Sequence, residues 1–277
     1  MKPEQASILI TGCSSGIGLY CAQQLPKHNY HVIASCRYLS DVIRLQEMGL
    51  NCIQLDLACQ QSIEQGWQQA LKMANGKISY LFNNGAYGQP GALEDLPTEA
   101  LRQQFEINLF GWHHLSRLVI AHMLERQQGR IIQNSSVLGL VAMKYRGAYN
   151  ASKFALEGYT DTLRLELADT PIKISLIEPG PIISSFRKNA KIAFEQSIKL
   201  EQSRHQAAYQ HTLKRLGQEG ASSRFTLPAS AVFNALLHAL EAPSPKVRYY
   251  VTSPTHLFAL LRRCLPVTWL DAILRKS

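Results

Sequence analysis

Tyr149 and Lys153, four residues apart in Tyr149-Asn150-Ala151-Ser152-Lys153, can act on one substrate if the segment is helical, because such positions share a helix face. A free phenol titrates near ~10, too high for efficient proton exchange at neutral pH, and a neighbouring ammonium would favour the phenolate and lower that value. The pair is therefore a candidate general acid and base. Tyr-x-x-x-Lys alone is common on solvated helix faces, so its meaning depends on the rest of the chain.

A second cluster, Thr11-Gly12-Cys13-Ser14-Ser15-Gly16-Ile17-Gly18, follows an apolar run at 7–10 and opens a helical stretch. A glycine-rich turn beyond the carboxyl end of a strand lets backbone N–H groups at a helix start approach a pyrophosphate. The spacing here is Gly-x-x-x-Gly-x-Gly, not the Gly-x-Gly-x-x-Gly dinucleotide fingerprint. Its placement between strand and helix carries the argument, and points to a dinucleotide.

The elements that must position these residues can be read from periodicity. Short apolar runs at 7–10, 31–35, 52–55, 79–82, 130–134 and 173–177 alternate with amphipathic stretches at 17–25, 62–73, 101–124 and 149–167. Alternating strand and helix implies an α/β chain, a doubly wound Rossmann-type parallel sheet with helices on both faces. Near-continuous apolar strands fit a sheet covered on both sides. The pattern loosens after Pro181 and recovers in a helix at 229–240 and a strand at 248–251. One domain over 1–277 is expected, with 186–224 as a substrate-loop insertion and 254–277 as an apolar, basic helical tail.

The glycine loop, the Tyr149/Lys153 pair and a strand ending in Ser135-Ser136 together resemble the short-chain dehydrogenase/reductase family over residues 7–186. Within it, the loop, Ser152-Lys153-Phe154-Ala155-Leu156-Glu157 and Ile177-Glu178-Pro179-Gly180-Pro181 are similar to the branch of hydroxysteroid dehydrogenases, retinol dehydrogenases and bacterial NADP-dependent aldehyde reductases. The resemblance implies an oxidoreductase with Asn108, Ser136, Tyr149 and Lys153 as its catalytic set, Asn108 holding a proton-relay water. It also implies cofactor contacts from Gly12, Ser14, Ser15, Gly16, Ile17 and Gly18. Asp56 and Leu57 are expected near the adenine, and Asn84, Gly85 and Ala86 beside adenine and ribose. Pro179, Gly180, Ile182 and Ser184 are expected beside the nicotinamide, with Tyr149 and Lys153 touching its ribose. Gly85-Ala86 reverses the family's usual order, and Ser184 stands where threonine is frequent; small size and hydroxyl are kept.

Cofactor choice follows from the end of the second strand, Ala34-Ser35-Cys36-Arg37-Tyr38. An acid there would bind ribose hydroxyls and select NAD, whereas Arg37 suits a 2′-phosphate. NADP(H) is expected. The loop after Ser136, with Val137, Leu138 and Leu140, is hydrophobic and holds no charged clamp, so a lipophilic aldehyde, ketone or alcohol is the expected substrate.

Composition narrows the alternatives. The 277 residues carry a formal charge of +9, 46% hydrophobic and 18% charged residues, ordinary for a globular protein. Eight Lys or Arg stand against three Glu between Phe186 and Arg224, yet no basic run is interleaved with stacking aromatics, so nucleic acid is not an expected partner. The nine histidines and six cysteines show no metal-ligand spacing, and no metal is expected. The cysteines read as small buried hydrophobes in a reducing compartment, and no secretory leader is apparent, which suggests the cytoplasm. Arg262, Arg263 and Pro266 interrupt the tail, which falls short of the ~20 apolar residues of a span. It could lie at a bilayer interface as a peripheral contact, but packing on the catalytic domain or a partner is favoured. The helices at 101–124 and 149–167 resemble those that pair between subunits in this family, so a homodimer is expected. A catalytically silent dinucleotide sensor or scaffold is the alternative, and it would not need Asn108, Ser136, Tyr149 and Lys153 together.

Overall fold

Seven parallel strands form one sheet in the computed structural model, which describes residues 5–218, 220–221 and 223–275. In chain order the first half comprises β1 (Ala6–Ile10), α1 (Gly16–Gln24), β2 (Tyr30–Cys36), α2 (Leu39–Glu47), β3 (Cys52–Gln54), α3 (Gln60–Met73) and β4 (Ile78–Asn83). The second comprises α4 (Thr98–Phe105), α5 (Gly111–Glu125), β5 (Gly129–Asn134), α6 (Gly147–Glu166), β6 (Ile172–Glu178), α7 (Phe186–Ser197), α8 (Gln206–Leu216), α9 (Ala229–Glu241), β7 (Arg248–Tyr250), α10 (Ser253–Cys264) and α11 (Val267–Leu274). The sheet order β3-β2-β1-β4-β5-β6-β7 reverses direction between β1 and β4. Helices diverge at such a switch point and leave a crevice beyond the strand ends.

Alternate residues of each strand feed two cores, as the two-residue period of a strand requires. Ile8, Ile10, Val32 and Ala34 pack with α1 and α9 on one face, while Leu9 and Ile33 pack with α3 and α5 on the other. On α5, Trp112, Leu115, Val119 and Met123 recur at helical spacing and are fully buried, worth ~1.5–3 kcal/mol each for side chains of this kind.

Three expectations need correction. The helix expected over 101–124 is broken into α4 and α5 by a π-helical turn at Glu106–Phe110. Asn108 is drawn inward there, and Gly111 sits so close to Leu57 that a Cβ would lie 2.0 Å from the Leu57 carbonyl oxygen. Residues 186–224 contain two helices, α7 and α8, which share a small core of Ala92, Phe194, Ile198 and Tyr209. Of the cysteines, Cys13, Cys21, Cys36 and Cys52 are buried, but Cys59 and Cys264 are exposed because each lies at a helix end facing solvent.

The tail folds as α10 and α11 and packs back on the domain. Arg262 donates to the Gly139 carbonyl at 3.2 Å, and Lys144 to that of Arg275 at 3.2 Å. Among the described residues, no helix is long and apolar enough to cross a membrane.

Candidate active site

β1 delivers the chain to a turn whose glycines have no room for side chains. Gly12 and Gly16 have φ of 71° and 57°, in the left-handed region that favours glycine. A Cβ on Gly12 would lie 2.4 Å from Gly85 Cα, one on Gly16 2.9 Å from Ser184 Cβ, and one on Gly18 2.3 Å from the Gly12 carbonyl oxygen. The loop is thereby closed on β4 and on the segment after β6. Thr11 Oγ1 accepts from the Asn84 and Gly85 amides at 2.9 Å each, and Asn134 Nδ2 donates to Asn84 Oδ1 at 2.9 Å. These bonds tie the ends of β1, β4 and β5 together.

The cradle fits a dinucleotide. Ser15 precedes α1 without a capping side-chain bond, so first-turn N–H groups remain for another acceptor, and a helix N-terminus favours an anion. Asn134 Oδ1 is buried without a hydrogen-bond partner among the described residues, which leaves an acceptor at the same crevice.

α6 and the strand end of β5 supply the candidate reacting groups. Tyr149, Ser136 and Lys153 line one cavity of about 760 Å3 with Gly12, Gly16 and Pro179. Lys153 is 1% exposed; its Nζ donates to the Asn134 carbonyl at 2.8 Å and lies 4.6 Å from the centre of the Trp112 ring. Burial holds the Lys153 ammonium down to about 7, opposed by the Glu157 carboxylate one turn further along α6. Burial also pushes the Tyr149 phenol up to about 12, against a hydrogen bond with Ser136 and the positive charge of Arg146. The expected depression of the tyrosine by Lys153 is thus absent: both groups are desolvated, and desolvation favours the neutral form of each.

Asn108 occupies the π turn, where a displaced backbone often marks a functional site. Its Nδ2 donates to the Tyr87 carbonyl at 3.0 Å and to Ser152 Oγ at 3.2 Å, and its Oδ1 accepts from the Tyr87 amide at 3.3 Å. It therefore connects the loop after β4 to α6, behind the cavity wall.

The cavity gathers most of the anticipated residues: Ser14, Ser15, Ile17, Asn84, Gly85, Ala86, Gly180, Ile182 and Ser184 join those already named. Gly18, Arg37, Asp56, Leu57 and Asn108 lie outside its walls. Asp56 Oδ1 accepts from the Ala58 amide at 3.0 Å, and Leu57 is buried. Arg37, exposed at the end of β2, bonds the Tyr38 hydroxyl and lies 4.2 Å from that ring's centre.

Three groups escaped the sequence reading. Arg44 on α2 reaches back to the Ser14 carbonyl at 2.7 Å, placing a second cation beside the glycine loop. Arg248 on β7 joins Glu157, Glu178 and Asp161 in one ion-pair cluster, and Glu157 also accepts from the Ser135 hydroxyl. The cavity also carries Arg146, Arg187 and Arg215, charges that the hydrophobic reading of the loop after Ser136 did not include. The first sits three residues before Tyr149, and the others come from the basic stretch, whose helical fold was not anticipated.

A parallel sheet with a glycine cradle at its switch point, and a Tyr/Ser/Lys set in the same cavity, defines a dinucleotide-binding oxidoreductase. Residues 6–193 match the family model described as short chain dehydrogenase, and the chain belongs to that family. It is 38% identical to the uncharacterized oxidoreductase YbbO of Escherichia coli K12 over 274 residues, covering 99% of this chain and 96% of that one. It is 39% identical to human retinol dehydrogenase 8 over 196 residues, covering 67% of this chain and 62% of the human protein. Among solved structures, a Burkholderia phymatum short chain dehydrogenase/reductase in complex with NAD has a TM-score of 0.78 at 24% identity, covering 95% and 93% of the two chains. A Burkholderia cenocepacia short chain dehydrogenase in complex with NADP has a TM-score of 0.74 at 21% identity, covering 99% of each. The two share its fold.

Proposed function

We propose that the chain reduces a lipophilic aldehyde or ketone with NADP(H), and oxidises the corresponding alcohol in reverse. The observation that carries the reading is the convergence of Tyr149, Ser136 and Lys153 on the cavity that also holds the glycine cradle. A bound NADPH supplies the hydride. Tyr149, protonated at neutral pH because burial raises it, donates its phenolic proton to the substrate oxygen as negative charge develops, while Ser136 hydrogen-bonds that oxygen. Donors placed where charge develops stabilise the transition state more than the ground state. Lys153 holds the nicotinamide ribose, and Asn108 fixes the loop at Tyr87 against Ser152, with a proton-relay water as its family role.

Two cations, Arg37 at the end of β2 and Arg44 at the Ser14 carbonyl of the glycine loop, support NADP over NAD, since a guanidinium suits a 2′-phosphate. The apolar walls support a lipophilic substrate: Leu138 and Val141 from the loop after β5, Leu216 from α8, and Phe258 and Leu274 from the tail. Likeness to a retinol dehydrogenase agrees with this. Exposed Phe110, Phe154 and Leu165 near or on α5 and α6 favour a homodimer through those helices. Exposed Leu257, Leu260 and Trp269 near Arg262 and Arg263 favour peripheral membrane contact of a cytoplasmic enzyme. The reading is tested by NADPH and NADH oxidation against aliphatic, aromatic, retinoid and steroid carbonyls. Turnover with an apolar carbonyl and a preference for NADPH are expected; no turnover on any member would overturn the reading.

A further inference from the structure

Among the described residues, the cavity beside Tyr149 has no Asp or Glu in its wall, yet it is lined by Arg146, Arg187 and Arg215 in addition to Lys153. None of the three arginine side chains is in an ion pair among the described residues. Arg187 bonds the Gly220 carbonyl with one nitrogen, while its Nη1 is buried with no hydrogen-bond partner. Burial and the neighbouring Arg215 charge hold the Arg146 guanidinium down to about 10, and burial and Arg187 act on Arg215 in the same direction. Arg215 therefore stands between two like charges, Arg146 and Arg187.

Arg146, Arg187 and Arg215 are partly buried, and like charges gathered in one cavity with low-dielectric walls raise the local potential for an anion. A planar guanidinium matches carboxylate and phosphate oxygens. Position sets Arg146 and Arg215 apart from the dinucleotide cradle: Arg146 is bridged to Gly91 and Arg215 lies on α8, whereas Arg187 follows Ser184 and Ser185, which lie against Gly16. Around them the wall is mixed, with apolar Met143, Phe186, Leu216 and Leu274 beside Asn189, His211 and Thr212.

We propose that the substrate carries an anionic group, a carboxylate on an apolar body, and that Arg146, Arg187 and Arg215 bind it while Tyr149 addresses the carbonyl. This rests on the reductase reading above and narrows its substrate class to lipophilic oxo acids. Oxo groups at the far end of a fatty chain from the carboxylate provide the probe.

The test compares kcat/KM with NADPH for ω-oxo fatty acids and their methyl esters at several chain lengths. The free acid should be favoured at its best length by roughly the ten- to hundredfold of a charge-assisted hydrogen bond, and added salt should shrink the ratio. Arg215→Met should bring the acid-to-ester ratio close to one, and Arg215→Lys should keep part of the preference. Equal efficiency with acid and ester would overturn the anion site while leaving the reductase reading intact. A loss of NADPH affinity in Arg215→Met as large as its loss with the acid would assign the charge to the cofactor and also overturn it. If no carbonyl is reduced, thermal melts of the wild-type protein with a fatty acid and its methyl ester decide the matter separately. Stabilisation by the acid alone supports the anion site, and equal effects remove it.

Discussion

The Lys153 ammonium stands 5.6 Å from the centre of the Tyr149 ring, yet its hydrogen bond goes to the Asn134 carbonyl. The two side chains share a desolvated space without direct pairing, and burial shifts both toward neutrality, the lysine to about 7 and the tyrosine to about 12. Below about 12 the phenol is protonated and can donate; below about 7 the amine is charged and can support it. Reduction should therefore lose kcat/KM as pH rises through about 7, while alcohol oxidation, which needs the phenolate, should gain toward alkaline pH. Rate profiles in both directions check this, and a reduction profile flat between about pH 6 and pH 9 would contradict it.

Tyr149→Phe removes the proton donor with little change of shape. Turnover should fall by the roughly 10² to 10⁴ of a lost general acid, with NADPH affinity nearly unchanged. Lys153→Met should damage turnover and cofactor affinity together, and should abolish the titration near 7. Stopped-flow rates and fluorescence titration with NADPH separate the two effects. Near-normal reduction by Tyr149→Phe would overturn the assignment of the acid.

Arg37 is exposed at the end of β2, stacked on Tyr38 and bonded to its hydroxyl, and Arg44 is anchored to the Ser14 carbonyl and to Asp41, both at 2.7 Å. Arg37→Asp should weaken NADP by more than NAD, because it replaces attraction for the 2′-phosphate with repulsion. Arg44→Met should weaken both cofactors, since it also supports the loop. Dissociation constants for the two dinucleotides provide the measurement; equal losses in Arg37→Asp would show that this residue does not read the phosphate.

Much of this arrangement is legible in the sequence because local rules agree with the global fold. The seven strands appear as apolar runs bounded by turn residues, and β1 with its glycine turn identifies the crevice before any packing is known. The break at Asn108 is not legible, because 101–124 keeps one helical periodicity while the inserted π turn depends on contacts with Tyr87 and Leu57. The arginines around the cavity escape for a similar reason. Arg146 and Arg215 are 69 positions apart in sequence, and only the docking of α8 beside the start of α6 makes them neighbours. The raised phenol of Tyr149 depends on burial, which residue spacing does not encode.

Arg248 holds three carboxylates, with Glu157 and Glu178 at one nitrogen and Asp161 at the other. Glu178 is fully buried, and burial followed by the Glu157 charge raises its carboxyl above the ordinary range. Arg248→Met strands these acids, so it should cost ~3–5 kcal/mol, the range for breaking a buried pair from one side. The sign of the pH dependence follows from the raised value. A carboxyl whose folded pKa exceeds its unfolded one is best tolerated while protonated, and its stability contribution declines as pH rises through the interval between the two. The variant should therefore be hurt more at about pH 8 than at about pH 5. Glu178→Gln in the same background should narrow that difference. Urea denaturation at both pH values checks this, and an equal loss at each would show that the cluster does not titrate. The cluster also reaches the chemistry: Glu157 lies one turn beyond Lys153, and Glu178 directly precedes Pro179 and Gly180 in the cavity wall. Arg248→Met should accordingly shift the lower pKa of the reduction profile as well as stability, an effect that a purely structural ion pair, remote from Lys153, would not produce.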